Sequence, residues 1–155
     1  ERCGRGFSLG VRLSPERFGQ RTAEIRDLAA ALLVDERLDY LDMSLWDLTK
    51  PAHDEEFEGQ SLLEIFTELP RQGVALGAAG KLYSAAQCQS ALDQGLDFVM
   101  VGRGGILHHD FPRRALADPE FAMADLPVTR EYLQQERLGK PFIDYMASWK
   151  GFVAD

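Results

Sequence analysis

The chain has 155 residues, 45% hydrophobic and 27% charged, with 17 Lys and Arg against 25 Asp and Glu for a formal net charge of −8. These values describe one ordinary globular domain, and the acidic balance argues against a dispersed binder of nucleic-acid backbone or of anionic membrane. No apolar run reaches the ~18 residues of a membrane span, residues Glu1 to Gly6 lack the apolar stretch of a secretory signal, and a cytoplasmic chain is expected. Cys3 and Cys88 form no CxxC pair; both are expected to be structural, and no metal site is expected.

In chain order, Phe7–Ser14 reads as a short strand that Pro15 ends. From Arg21 to Arg37, Ile25, Leu28, Ala29, Leu32 and Leu33 recur at helical spacing and predict one buried stripe. Leu38–Ser44 reads as a strand in which Tyr40 and Leu41 sit among acids, and the polar stretch 47–59 follows. Ser61 with Glu64 forms a capping box for a helix that Pro70 should end. Gly73–Ala79 is a buried-strand candidate. Ser84 with Gln87 caps the next helix, and Gly95 stands where a left-handed residue is wanted. Asp97–Val101 is a continuous apolar run of the kind found in parallel sheets covered on both faces. Helices are expected at 111–117 and 130–137, and the apolar tail 142–153 should dock.

Strand and helix thus alternate four times, with strand centres near Val11, Leu41, Leu76 and Val99. Alternation implies right-handed βαβ crossovers and a parallel sheet. A complete eightfold barrel takes roughly 250 residues, so four units are either an open doubly wound sheet or half of a barrel. A chain that opens directly on a strand is expected of a piece of something longer.

In both architectures ligands bind beyond the carboxyl ends of the strands. Arg12, Ser44 to Asp47, Gly80-Lys81 and Gly102-Arg103 fall there. Gly102-Arg103-Gly104-Gly105 suits an anion cradle of unhindered backbone N–H groups at a helix start, or is simply a turn. Arg12 interrupts an apolar strand, and a buried guanidinium needs a partner: a ligand, or a salt bridge to Asp42 or Asp47. Trp46 either walls a pocket or packs between helices. His108, His109 and Asp110 are expected to form a solvated loop, His53 to lie on the surface, and Asp54, Glu55, Glu56 and Glu58 to be a solvated charge run. Gly-x-Ser-x-Gly, Walker A and His-Glu-x-x-His motifs are absent.

Taken together, Gly10-Val11-Arg12-Leu13-Ser14, Asp39-Tyr40-Leu41, Ala79-Gly80-Lys81 and Asp97-Phe98-Val99-Met100-Val101-Gly102-Arg103, with Asp110-Phe111-Pro112, resemble the C-terminal half of the old yellow enzyme family of NAD(P)H:flavin oxidoreductases. The resemblance covers residues 7 to about 121 and implies half of an FMN-carrying (β/α)8 TIM barrel, strands five to eight. It implies a half-barrel over 1–121 with part of the FMN site, and a helical extension over 122–155. By the same resemblance Arg12 lies beside flavin N1 and the C2 carbonyl, where its charge favours the reduced flavin. Backbone N–H groups of Gly80, Lys81, Gly102 and Arg103 meet the flavin phosphate, and Arg12 is the catalytic candidate. The implied chemistry is hydride transfer from NADH or NADPH to FMN and on to an electrophilic alkene or other acceptor. The chain departs from the family in carrying Gly80-Lys81 where Gly-Gly is usual. The substrate-holding histidines and proton-donating tyrosine belong to the other half, and no motif carries that role to Tyr40, Tyr83, Tyr132 or Tyr145. The expected partner is the N-terminal half of the same barrel or a second copy of this chain. Two rivals are a self-associating half-barrel module and another phosphate-binding barrel.

Overall fold

The computed structural model describes residues 6–16 and 19–154, which leaves Cys3 outside the described residues. It forms two compact units, one of Glu1–Lys81 with Gln89–Met100, the other of Leu82–Cys88 with Val101–Asp155.

The first unit carries four parallel strands in the order β1-β2-β3-β4: β1 (Gly10–Leu13), β2 (Tyr40–Ser44), β3 (Ala75–Ala79) and β4 (Phe98–Met100). Each strand follows its predecessor by a crossover, as alternation requires. Helix α1 (Thr22–Leu32) buries Thr22, Ile25 and Ala29, and Leu33 just beyond it is fully buried. Leu28, expected in the same stripe, is 45% exposed, because the buried line runs along 22-25-29-33 and Leu28 lies off its edge. Helix α2 (Leu62–Thr67) opens with the expected capping box: the Glu64 amide donates to Ser61 Oγ at 3.2 Å, and the Ser61 amide donates to Glu64 Oε2 at 2.7 Å. The helix ends at Thr67, before Pro70.

Register sorts the strand residues onto two faces. Val11, Leu13, Leu41, Met43, Leu76, Ala78 and Val99 share one face, and its central members are almost fully buried. Gly10, Arg12, Tyr40, Asp42, Ser44, Ala75, Gly77, Ala79, Phe98 and Met100 share the other, where Arg12, Tyr40 and Met100 are exposed. The expectation that β4 is covered on both faces therefore does not hold, since Met100 is 42% exposed.

Helix α3 (Ala85–Asp93) draws residues from both ranges. Ser84 Oγ accepts the Gln87 amide at 3.2 Å, but the Gln87 side chain accepts from the Tyr83 amide, one residue earlier than a capping box would have it. Gly95 takes φ +105°, the left-handed ending expected of it.

The second unit contains α4 (Arg103–Leu107), α5 (Phe111–Ala117), α6 (Arg130–Gln135) and α7 (Lys140–Ala147). Leu107, Leu133, Ile143, Met146 and Phe152 form its core, so the apolar tail docks within its own unit. Among the described residues no helix is long and apolar enough to cross a membrane.

Candidate functional site

The open face of the sheet borders a cavity of about 600 Å³ lined by Gly10, Arg12, Tyr40, Asp42, Phe98 and Met100 among others. Arg12 stands on it. Its Nε lies 3.3 Å from Asp42 Oδ2, and its NH2 group donates to Ser44 Oγ at 3.2 Å. The polar residues that interrupt β2 are thus the ones that face Arg12 from the neighbouring strand. Of the two acids weighed as its partner, Asp42 is the one engaged. The Arg12 side chain nevertheless remains 55% exposed, while that of Asp42 is 6% exposed. Burial raises the Asp42 pKa, and the Arg12 charge offsets this only in part.

At the end of β3, Gly80 is held close to another backbone. A Cβ there would lie 2.8 Å from the Leu48 amide nitrogen and 3.0 Å from that of Asp47. Lys81 adopts φ +51°, and its Nζ pairs with Asp47 Oδ2 at 2.8 Å. The hydrogen bond from Lys81 is the main influence holding the Asp47 pKa down. Beyond β2, Trp46 is 61% exposed and also has a positive φ, +62°. It lines a smaller cavity of about 200 Å³ with Glu16, Lys50 and Leu62, so the pocket-wall reading describes it. His53 is exposed as expected, but its amide donates to the buried Glu16 carboxylate, which also takes Lys50 Nζ at 2.7 Å and Thr22 Oγ1 at 3.1 Å.

In the second unit, Gly102 precedes α4, and a Cβ added to it would meet nothing within 4 Å. Its φ of −88° is open to any residue. Packing therefore does not demand glycine there. Helix α4 has only five residues, so a helix dipole adds little to the anion cradle expected at its start. Arg103 donates to Tyr83 Oη at 2.8 Å, a contact across 20 positions of sequence that no local motif announces.

His108 overturns the expectation of a solvated loop, for it is buried at 6% exposure. Its Nε2 accepts the Ala124 amide at 2.9 Å, and its ring meets Phe121 and Tyr132 edge to face. His109 is exposed and pairs with Glu136 at 2.7 Å. Donor atoms of His109, Asp110 and Glu136 lie within 4.8 Å of one another, but arginines already supply the positive charge: Arg113 and Arg114 bind Asp110, and Arg114 approaches Glu136 at 3.6 Å. Those arginines hold the Asp110 pKa at about 2. Cys88 is buried with a free thiol, whose pKa burial pushes up.

No family model matches the chain. A protein described as a probable NADH-dependent flavin oxidoreductase, YqiG of Bacillus subtilis (strain 168), is 32% identical over 100 residues, 63% of this chain and 27% of that protein. The NADH:acrylate oxidoreductase of Vibrio harveyi is 28% identical over 152 residues, 90% of this chain and 14% of that protein. In fold, the chain is similar to morphinone reductase, solved in complex with tetrahydroNAD, with TM-score 0.52 and 27% identity over 80% of this chain and 31% of that one. The chain therefore spans under a third of the length of each of these three proteins. Over that span the α/β fold with its four-stranded parallel sheet matches part of a TIM-barrel enzyme, and the sequence is similar to those of flavin oxidoreductases of the old yellow enzyme type.

Proposed function

We propose that the chain supplies part of the FMN site of an NAD(P)H oxidoreductase, its strands serving as strands five to eight of a (β/α)8 barrel. Arg12 carries the reading. A guanidinium on the open face of a parallel sheet, more than half exposed and facing a cavity of about 600 Å³, is placed for a ligand. Gly102 adds support, being a glycine that packing does not require, with open space where its Cβ would stand. When bound, FMN would supply hydride transfer from NADH or NADPH to an electrophilic alkene or another acceptor.

Arg12 would present fixed positive charge to the polar edge of the flavin ring. In the first unit Gly80 and Lys81 would offer backbone N–H groups to phosphate, the Lys81 ammonium being occupied by Asp47. In the second unit Gly102 and Arg103 would do the same. None of the four tyrosines is assigned as proton donor. Tyr83 Oη already accepts from Arg103, and Tyr132 Oη donates to the Leu107 carbonyl at 3.0 Å.

The test is a titration of the chain with FMN followed by quenching of flavin fluorescence, with Arg12→Ala and Gly102→Val alongside. Saturable binding weakened in both variants is expected. Binding indifferent to Arg12→Ala would remove that residue from the role, and no saturation in the parent chain would defeat the flavin reading.

A second reading rests on the open sheet face, where Tyr40 and Met100 are 39% and 42% exposed: a half-barrel completed by a second copy of itself. Sedimentation velocity separates the two. A stable dimer without FMN affinity favours the self-completing module, and a compact monomer rules it out.

A further inference from the structure

Arg12 and Asp42 are direct register partners on β1 and β2. Their contact is unequal. Asp42 is buried and Arg12 is not; Oδ2 meets the guanidinium at 3.3 Å, while the other carboxylate oxygen, Oδ1, is buried without a hydrogen-bond partner. A buried carboxylate is stable as an anion when both oxygens are satisfied, and here one is not. The other strands do not make up the deficit. On the same face β3 brings Ala75, Gly77 and Ala79, and β4 brings Phe98 and Met100, none of them ionisable. On or beside β2 itself the cavity adds Asp39, whose Oδ2 already takes the Leu9 amide at 2.6 Å, and Tyr40. Among the described residues of this face, Arg12 is the single cation available to Asp42.

We propose that Asp42 is a positioning residue for Arg12: as a carboxylate it holds the guanidinium against the sheet, and as the neutral acid it leaves the full charge of Arg12 to a ligand on the open face. This rests on the flavin reading above and identifies a group of this chain that would regulate it. Burial acts in the same direction, raising the Asp42 pKa in spite of Arg12. Ligand binding at Arg12 is therefore coupled to proton uptake at Asp42, with affinity rising as pH falls through the Asp42 titration.

The experiment uses FMN as probe and the chain with Asp42→Asn, Arg12→Ala and both together. Asp42→Asn keeps the side-chain shape and removes the charge. It should tighten FMN about threefold to tenfold near pH 8, with the gap closing as pH falls through the Asp42 titration. Comparison at each pH cancels the titration of the FMN phosphate itself. In the Arg12→Ala background the substitution should do nothing, because Asp42 acts through Arg12. A second readout needs neither flavin nor the Asn variant: the carboxyl ¹³C shift of Asp42 in the free chain should titrate above the ordinary aspartate range, and higher still in Arg12→Ala.

Equal FMN affinities and parallel pH profiles for the parent chain and Asp42→Asn would overturn the proposal and leave the flavin reading standing. Saturable binding by both, tighter in Asp42→Asn than in the parent chain, would support both. If neither binds, the flavin reading falls, and the ¹³C titration still decides the coupling: a midpoint within the ordinary range, or one unmoved by Arg12→Ala, overturns it.

Discussion

Tyr40 and Phe98 meet edge to face across β3, their ring centroids 5.8 Å apart at 85°. Glycine makes room for both rings: a Cβ on Gly10 would clash with the Tyr40 ring, and one on Gly77 with the Phe98 ring. The two close approaches explain these strand glycines without any ligand. Gly77→Ala must displace Phe98, but that ring lies on the open face and can swing outward. We expect a loss of only about 1 kcal/mol in urea unfolding, with the Tyr40–Phe98 contact broken.

Gly80→Ala is a harder change. Its Cβ would meet main-chain nitrogens of Asp47 and Leu48, which cannot rotate away as a ring can. A loss of about 2–3 kcal/mol is expected, larger than for Gly77→Ala in the same unfolding series. The reverse order would mean that the loop after β2 yields more easily than an aromatic ring, and would return Gly80 to a purely ligand-driven explanation.

The four strands and both helix caps were legible because each is a local signal: an apolar run, or a hydroxyl three residues before an acid or amide. Arg12 was legible as an anomaly, since an arginine in an apolar strand demands a partner. Which partner it has was not, because the choice between Asp42 and Asp47 depends on the register of β1 against β2. His108 was misread for the same reason. Its burial comes from Ala124 and Tyr132, 16 and 24 positions away, and adjacency to His109 and Asp110 carries no trace of them. Leu28 shows the converse, a residue whose spacing fits a buried stripe that runs one step to its side. The Arg103–Tyr83 hydrogen bond likewise joins residues that no short motif links.

Gly102 separates fold from function more cleanly than Gly80 can. With open space at its Cβ position and an ordinary φ, Gly102→Ala should change stability by about 0.5 kcal/mol or less. FMN affinity should nevertheless fall several-fold, because the methyl group would occupy the approach to the backbone N–H groups. Paired unfolding and fluorescence titrations check this. A variant that binds FMN as the parent chain does would take Gly102 out of the phosphate site.

His108 gives the second unit a dependence on acid. Its Nε2 accepts the Ala124 amide, so the ring is neutral with its proton on Nδ1, 3.2 Å from Tyr132 Oη. Burial first, and then the Arg114 charge, lower its pKa from 6.5. The unfolded chain therefore binds this proton before the folded one does, and stability falls as pH drops below about 6.5, by at most about 1.4 kcal/mol per pH unit, until the lowered folded pKa is passed. The carboxylates Asp110 and Glu136 enter only later, since their ordinary values lie at 3.8 and 4.5 and their folded values lower still. Between about pH 6.5 and 5 the loss of stability with acid should thus be diminished by His108→Gln, which costs about 1–3 kcal/mol at neutral pH through lost contacts. An undiminished slope in that variant would assign the acid sensitivity to another group.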